Sequence, residues 1–273
     1  MIGLGGGAHV WGPRMFDKSG WKKFEYDPLI AQWAAQAHVI AKTVVADPQM
    51  KKAWLQCQGT WFVGVDALPS DPMGKLGKVA LKGAVVDWLT HIETKPMHPS
   101  QLSVMYPGYP KPRQGESDNA FGYRLKRDGA HVDGLLPVGV ARQRMLKEPH
   151  AYVLGLPLNK TSPKASPLVV WEGSHVIMAR TFQKVFAGVP SNKWQDHDVT
   201  EVYQAARRQV FEQCRRVVVH AQPGESYVVH RLALHGVAPF GVGAEVACEA
   251  PDEGRMIAYL RPELVDASRW VTL

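Results

Sequence analysis

Cysteine is scarce in this chain. Cys57, Cys214 and Cys248 are three in number, far apart and never in a CxxC pair. That excludes a zinc knuckle and a disulfide framework, and it points to a reducing compartment, with the cytoplasm as the expected location. No apolar run reaches the roughly 18 residues of a membrane span. The opening Met1-Ile2-Gly3-Leu4-Gly5-Gly6-Gly7 lacks the basic region and long apolar core of a secretory signal. Its glycines are not followed by GK[ST], so Gly3 to Gly7 reads as a flexible start and not as a phosphate loop. Blocks of one charge are also missing. The net charge is +7, yet the basic residues are dispersed as Lys22-Lys23, Lys51-Lys52, Arg124 to Arg127 and Arg207-Arg208. Without a basic/aromatic register they argue against nucleic acid as a partner and for a solvated surface that tolerates anionic small molecules.

What is present suits a soluble globular protein: 45% of the 273 residues are apolar and 21% charged. Asp27-Pro28 supplies an N-cap and an N1 proline. Behind it Leu29, Ile30, Trp33, Ala34, Ala37 and Ile40 recur at helical spacing to about Val45. Trp61 to Leu68 reads as a strand closed by the turn cluster Pro69-Ser70-Asp71-Pro72. Val79 to Leu89 is apolar but fits helix and strand alike. Residues 96 to 120, rich in proline, read as a long loop forming an active-site lid or rim. Later strands are expected at His131 to Leu136, Ala151 to Leu156, Leu168 to Trp171, Val217 to Val219, Tyr227 to Val229 and Met256 to Leu260. Two helices are expected among them. One is capped by Ser174 and runs to about Phe186. The other follows Asp198-Val199-Thr200-Glu201 to about Arg215, with Val202, Ala205, Ala206 and Val210 inward. With no repeat and no clean linker, one domain over 1–273 is expected, mainly β with helical cover (α+β).

The chemistry gathers at Ala130-His131-Val132-Asp133-Gly134 and at Leu234-His235-Gly236. On a strand the period of two places His131 and Asp133 on one face. A second histidine from another strand would complete a 2-His-1-carboxylate triad, which holds non-haem Fe(II) with positions left open. His91-Ile92-Glu93 offers the same geometry at an exposed element end. His230, inside an apolar strand, competes with His235 for the second position, though a core histidine is its cheaper reading. His175 and His197 have the positions of helix-start residues. Trp171, Tyr123 and Arg124 are candidate pocket residues.

The run Gly224 to Pro239, with its apolar strand ending in Leu234-His235-Gly236, resembles the distal-histidine strand of phytanoyl-CoA dioxygenase-like enzymes. Pro167-Leu168-Val169-Val170-Trp171-Glu172-Gly173-Ser174-His175 is similar to that family's strand ending in PGSH, and His150 to Leu158 to its short apolar strand. The resemblance covers residues 121–262 and leaves 1–120 as helical cover and rim. It implies a double-stranded β-helix (a cupin-like jelly roll). His131, Asp133 and His235 would bind Fe(II), with 2-oxoglutarate as cosubstrate. The cosubstrate's distal carboxylate needs a cation, and arginine pairs with carboxylate bidentately and stays charged. Arg255 stands where the family has this arginine, after a longer interval from His235 than is usual; Arg231 and Arg261 are substitutes. The expected reaction is hydroxylation of a small organic substrate by O2, releasing succinate and CO2. Lys111, Arg113, Arg124, Lys126 and Arg127 would suit an acidic substrate. Two alternatives stand beside it: a cupin-like metal enzyme that does not use 2-oxoglutarate, and a non-catalytic anion- or nucleic-acid-binding protein.

Overall fold

The computed structural model describes residues 16, 18–244 and 250–273. The glycine-rich start and Cys248 lie outside the described residues. The strands are β1 (Trp21–Phe24), β2 (Leu55–Gln56), β3 (Trp61–Leu68), β4 (Ser100–Met105), β5 (Leu135–Val138), β6 (Gln143–Leu146), β7 (Tyr152–Pro157), β8 (Leu168–Trp171), β9 (Arg216–Val219), β10 (Ser226–His230), β11 (His235–Val237) and β12 (Arg255–Leu260). The helices are α1 (Pro28–Ala46), α2 (Pro48–Trp54), α3 (Ala84–Leu89), α4 (Asp118–Lys126), α5 (Ser174–Val185) and α6 (Thr200–Gln213).

The fold is mixed α/β around a large antiparallel sheet. Its seven strands run in the order β1-β10-β7-β12-β4-β3-β2, beside a three-stranded sheet β11-β8-β9 and a hairpin β5-β6. Alternation along the strands gives each sheet two apolar faces. Val153, Tyr227, Val229 and Ile257 of the large sheet pack against Leu168, Val170 and Val219 of the small one. On the opposite face Val104, Leu154, Val228 and Met256 join the cluster that contains Ile30 and Trp33 of α1. That helix starts where expected, the Leu29 amide donating to Asp27 Oδ1 at 2.8 Å, and it buries Ile30, Trp33, Ala34, Ala37 and Ala41. Leu29 instead faces solvent.

Several expectations are corrected. Residues 96 to 120 are not one loop: β4 lies inside the large sheet between β12 and β3, and α4 begins at Asp118. Residues before 120 therefore supply strands as well as helical cover. The ambiguous stretch before Leu89 closes as the short helix α3. Ser174 is the first residue of α5 and not its cap; its Oγ accepts from the Leu234 amide at 2.8 Å. Helix α6 is turned from its expected face, burying Tyr203, Ala206 and Val210 while Val202 and Ala205 are exposed. Trp171 packs on Phe211 in the core, ring centroids 5.3 Å apart, and lines no cavity at the site. Among the described residues no helix is long and apolar enough to cross a membrane.

Arg231 closes the C-terminal end of the fold. Buried behind β10, it donates Nε to Trp270 O (2.9 Å), Nη2 to Arg269 O and Thr272 O (2.7 Å each) and Nη1 to Ala151 O (3.3 Å). Burial, with Arg269 nearby, pulls its pKa down to about 10, which still leaves it charged at neutral pH. Replacing Arg231 by Met would leave these carbonyls without their donor, and a loss of about 3 kcal/mol in urea unfolding is expected; an unchanged midpoint would show that the C-terminal segment contributes nothing to the cooperative unit.

Candidate metal centre

Two histidines a hundred residues apart meet because their backbones form one antiparallel pair. The His131 amide donates to His235 O at 2.8 Å and the His235 amide to His131 O at 3.0 Å. Residues paired in this way project their side chains from the same face, and the two imidazole centroids lie 4.8 Å apart. His131 therefore extends the edge of the small sheet at β11 by a single bridge. The expected strand from His131 to Leu136 does not form. The chain turns at Asp133-Gly134 and a strand begins only at Leu135. Asp133 joins the histidines through that turn and not through strand periodicity.

Both motif glycines have a steric cause. Gly134 has φ +83°, and a Cβ there would lie 1.9 Å from Glu148 O. A Cβ on Gly236 would lie 2.2 Å from Asp128 O, whose carbonyl accepts from the Val237 amide at 2.9 Å. Asp128 is itself held by a bidentate pair with Arg216 at 2.7 and 2.9 Å. The glycines let the HxD turn and β11 approach closely enough to pair.

The side chains converge. His131 Nε2 lies 3.0 Å from Asp133 Oδ1, and His235 Nε2 lies 3.7 Å from the same oxygen. One ligand atom from each residue falls within 4.8 Å of the others. The opposite ring nitrogens face backbone carbonyls: His131 Nδ1 toward Gly129 O at 3.0 Å and His235 Nδ1 toward Ala233 O at 2.9 Å. A carbonyl only accepts, so each Nδ1 carries the proton and donates. Burial lowers the His235 pKa against the pull of Asp133, so its ring is neutral at pH 7 and presents a bare Nε2 lone pair. Asp133 is buried, which opposes its ionisation, but the Arg261 guanidinium beside it outweighs this and holds its carboxyl well below the usual range. A buried carboxylate facing imidazole lone pairs is a stable grouping when a cation lies between them. The donor set, two nitrogens and one oxygen, suits a divalent transition metal.

Further residues orient these ligands. Arg261 Nη1 donates to Asp133 Oδ2 at 3.3 Å, and its Nη2 donates to Gln101 Oε1. Buried Tyr203, on α6, accepts at its hydroxyl from the Val132 amide at 2.9 Å, between the two HxD ligands. Contacts of this kind fix ligand orientation. The triad stands where two hollows meet. One, of about 190 Å³, lies between the sheets against Val153, Tyr227, Val229 and Tyr259. The other, about 430 Å³, opens outward past Tyr123, Leu136 and Arg144. His131, Asp133 and Arg261 border both.

The remaining candidates separate cleanly. Arg255 projects from the inner face of β12 with Ile257 and Tyr259, but it does not line the smaller hollow; Arg261 does. Its guanidinium is buried, and Nη1 has no hydrogen-bond partner among the described residues. It acts on Tyr227, whose pKa burial and Tyr259 raise and Arg255 lowers. His230 is buried away from the triad; its Nδ1 accepts from the Leu232 amide at 3.1 Å, and burial holds it well below the usual histidine pKa. His175 packs at a tilt against His230, ring centroids 5.0 Å apart, and His197 meets Phe186 edge-on at 5.7 Å. His91 and Glu93 are exposed. Arg124 is tied to Glu116 and to Lys111 O, so it organises the rim. Tyr203, Arg144 and Arg207 border the site without having been singled out. Tyr203 and Arg207 are four apart on α6, a spacing that puts both on one face of the helix.

No family model matches the chain, and no curated protein does. Among solved structures it is similar to SnoK, a non-haem α-ketoglutarate-dependent carbocyclase from nogalamycin biosynthesis: 12% identity, TM-score 0.49, 90% of this chain and 80% of that one. It is similar to EctD from S. alaskensis with bound Fe, at 18% identity and TM-score 0.48 over 92% and 75% of the two chains. The epimerase SnoN from nogalamycin biosynthesis follows at 11% identity and TM-score 0.47, over 90% and 78%. The assignment of residues rests on the geometry of this chain alone.

A Co(II) titration of the metal-free protein, followed by its visible absorption, is expected to saturate at one ion per chain. His235→Ala is expected to abolish that binding, and Tyr203→Phe to weaken it about tenfold with unchanged circular dichroism. Equal affinity in wild type and His235→Ala would remove the triad as the binding site.

Proposed function

We propose that the protein is an Fe(II)- and 2-oxoglutarate-dependent oxygenase that hydroxylates a small organic substrate. Its single domain is read as a double-stranded β-helix related to the phytanoyl-CoA dioxygenase-like enzymes. The observation that carries the reading is the pair of Nδ1-anchored imidazoles whose Nε2 atoms converge on buried Asp133. Iron held there would supply O2 activation coupled to decarboxylation of 2-oxoglutarate, so that substrate C–H, 2-oxoglutarate and O2 become substrate C–OH, succinate and CO2.

The chain's own residues have separable tasks. Gly129 and Ala233 carbonyls fix the imidazole tautomers. Arg261 holds Asp133 in its charged form and aims one carboxylate oxygen at the ligand atoms. Val153, Val229 and the two tyrosine rings keep water from the inner hollow. Arg255 is assigned to the distal carboxylate of 2-oxoglutarate, from its place beside Tyr227 on the inner face of β12. Its Nη1, without a hydrogen-bond partner among the described residues, supports this, whereas Arg261 is already engaged by Asp133 and Gln101. The position of Arg255 outside the hollow's lining favours, as second reading, a metal enzyme on the same scaffold that does not use 2-oxoglutarate.

Succinate formed from 2-oxoglutarate by the iron-loaded protein, followed by NMR under air, tests the assignment. Arg255→Gln is expected to raise the KM for 2-oxoglutarate at least tenfold with a smaller change in kcat. Arg261→Gln is expected to act mainly on metal affinity. No succinate from the iron-loaded wild type would move the assignment to the second reading.

A further inference from the structure

The outer cleft contains an imbalance of charge that the metal centre does not explain. Four carboxylates border it, and each is already engaged: Glu116 pairs with Arg124, Asp128 with Arg216 and Asp133 with Arg261, while Glu148 Oε2 lies 3.0 Å from His150 Nε2. Arg142, Arg144 and Arg207 border the same cleft and pair with no carboxylate among the described residues. They are close enough to act on one another. Burial depresses the Arg144 pKa, and Arg207 and Arg142 depress it further against the opposing effect of Tyr203. Such a group of like charges, partly out of water, opposes folding unless something offsets it.

The guanidinium groups of Arg207 and Arg144 are also held in place. Arg207 lies over the rings of Tyr123 and Tyr203, 4.9 Å from each centroid, and donates Nη1 to the Tyr123 hydroxyl at 3.0 Å. Its Nε is buried without a hydrogen-bond partner among the described residues. Arg144 Nη1 donates to Leu135 O at 3.2 Å. Tyr203 links this cluster to the metal centre, since the same side chain accepts from the Val132 amide. Fixed, planar donors with free N–H groups match the geometry of carboxylate or phosphate oxygens. The rest of the wall includes Trp61, Leu135, Leu136 and Val237, an apolar surface that ends at His131 and Asp133.

We propose that this cleft receives a small organic anion, a carboxylate or phosphate ester, with its charged end between Arg144 and Arg207 and its carbon skeleton toward His131 and Asp133. Calling that anion the substrate rests on the oxygenase reading; its binding does not. Of the basic residues upstream of the HxD turn, Arg124 is already neutralised by Glu116, and Arg113 lies over the Trp61 ring on the same cleft, 4.9 Å from its centroid. The charged end is placed between α6 and the β5-β6 hairpin, which carry Arg207 and Arg144.

The test is calorimetric titration of the full chain, with and without Co(II), at constant ionic strength. The probes are inorganic phosphate, hexyl phosphate and hexanol. Saturable binding of hexyl phosphate is expected, at least tenfold tighter than inorganic phosphate, because the alkyl chain gains apolar contact. Hexanol should give no measurable heat. Arg144→Gln and Arg207→Gln should each weaken hexyl phosphate at least tenfold. Arg142 is exposed, so Arg142→Gln carries little risk to folding; it should weaken binding about threefold and raise the melting temperature of the ligand-free chain. Equal affinities for the two phosphates would mean a free-anion site and overturn the substrate assignment. No binding of either phosphate, with Co(II) binding retained, would overturn the proposal while leaving the metal centre intact. Undiminished binding in all three variants would also overturn it.

Discussion

Two backbone hydrogen bonds, exchanged between His131 and His235, hold the rest of the site together. They join the loop after α4 to the edge of the small sheet, and everything chemical in the molecule is arranged around that junction. The glycines at 134 and 236 exist in this arrangement to permit it, because a side chain at either place would strike a carbonyl oxygen. Once the pair forms, both imidazoles leave the same edge. Their Nδ1 protons are occupied by carbonyls of their own chain segments, and both Nε2 atoms turn toward Asp133 Oδ1. Three groups that repel one another as lone pairs are thus held together by the fold, and a cation relieves the conflict.

The junction also separates two environments. Toward the interior the walls come from both sheets and are mostly apolar, closed by Tyr227, with Arg255 on the same inner face of β12. Toward the surface the walls come from α4, α6 and the β5-β6 hairpin and are rich in arginine. A centre placed between a smaller and a larger hollow can accept two ligands from different sides. Arg261 borders both hollows and neutralises Asp133, so it belongs to the centre itself and not to either ligand site.

The sequence made part of this legible and hid the rest for physical reasons. Helix α1 was readable because its cap, its N1 proline and its apolar spacing agree. The grouping of His131 and Asp133 with His235 was implied by the resemblance of the strand ending at Leu234-His235-Gly236, and strand periodicity was the wrong cause for it: Asp133 arrives through a turn at Gly134. Strand β4 was hidden by the prolines around it, while Gln101-Leu102-Ser103-Val104-Met105 alternates as a sheet strand should. On α6, Val202 and Ala205 outweighed Tyr203 in a reading by hydrophobicity. The buried position goes to the tyrosine because its hydroxyl has the Val132 amide to satisfy. That rotation is also what turns Arg207 toward the cleft, and no pattern of apolar residues could have announced it.

Anaerobic titration of the metal-free protein with Fe(II) and then 2-oxoglutarate, followed in the visible range, tests the central claim most directly. A metal-to-ligand charge-transfer band is expected in the wild type and should be absent in Asp133→Ala. Bound iron with no band on adding 2-oxoglutarate would contradict the cosubstrate assignment, and a chain that binds no iron at all would contradict the metal centre.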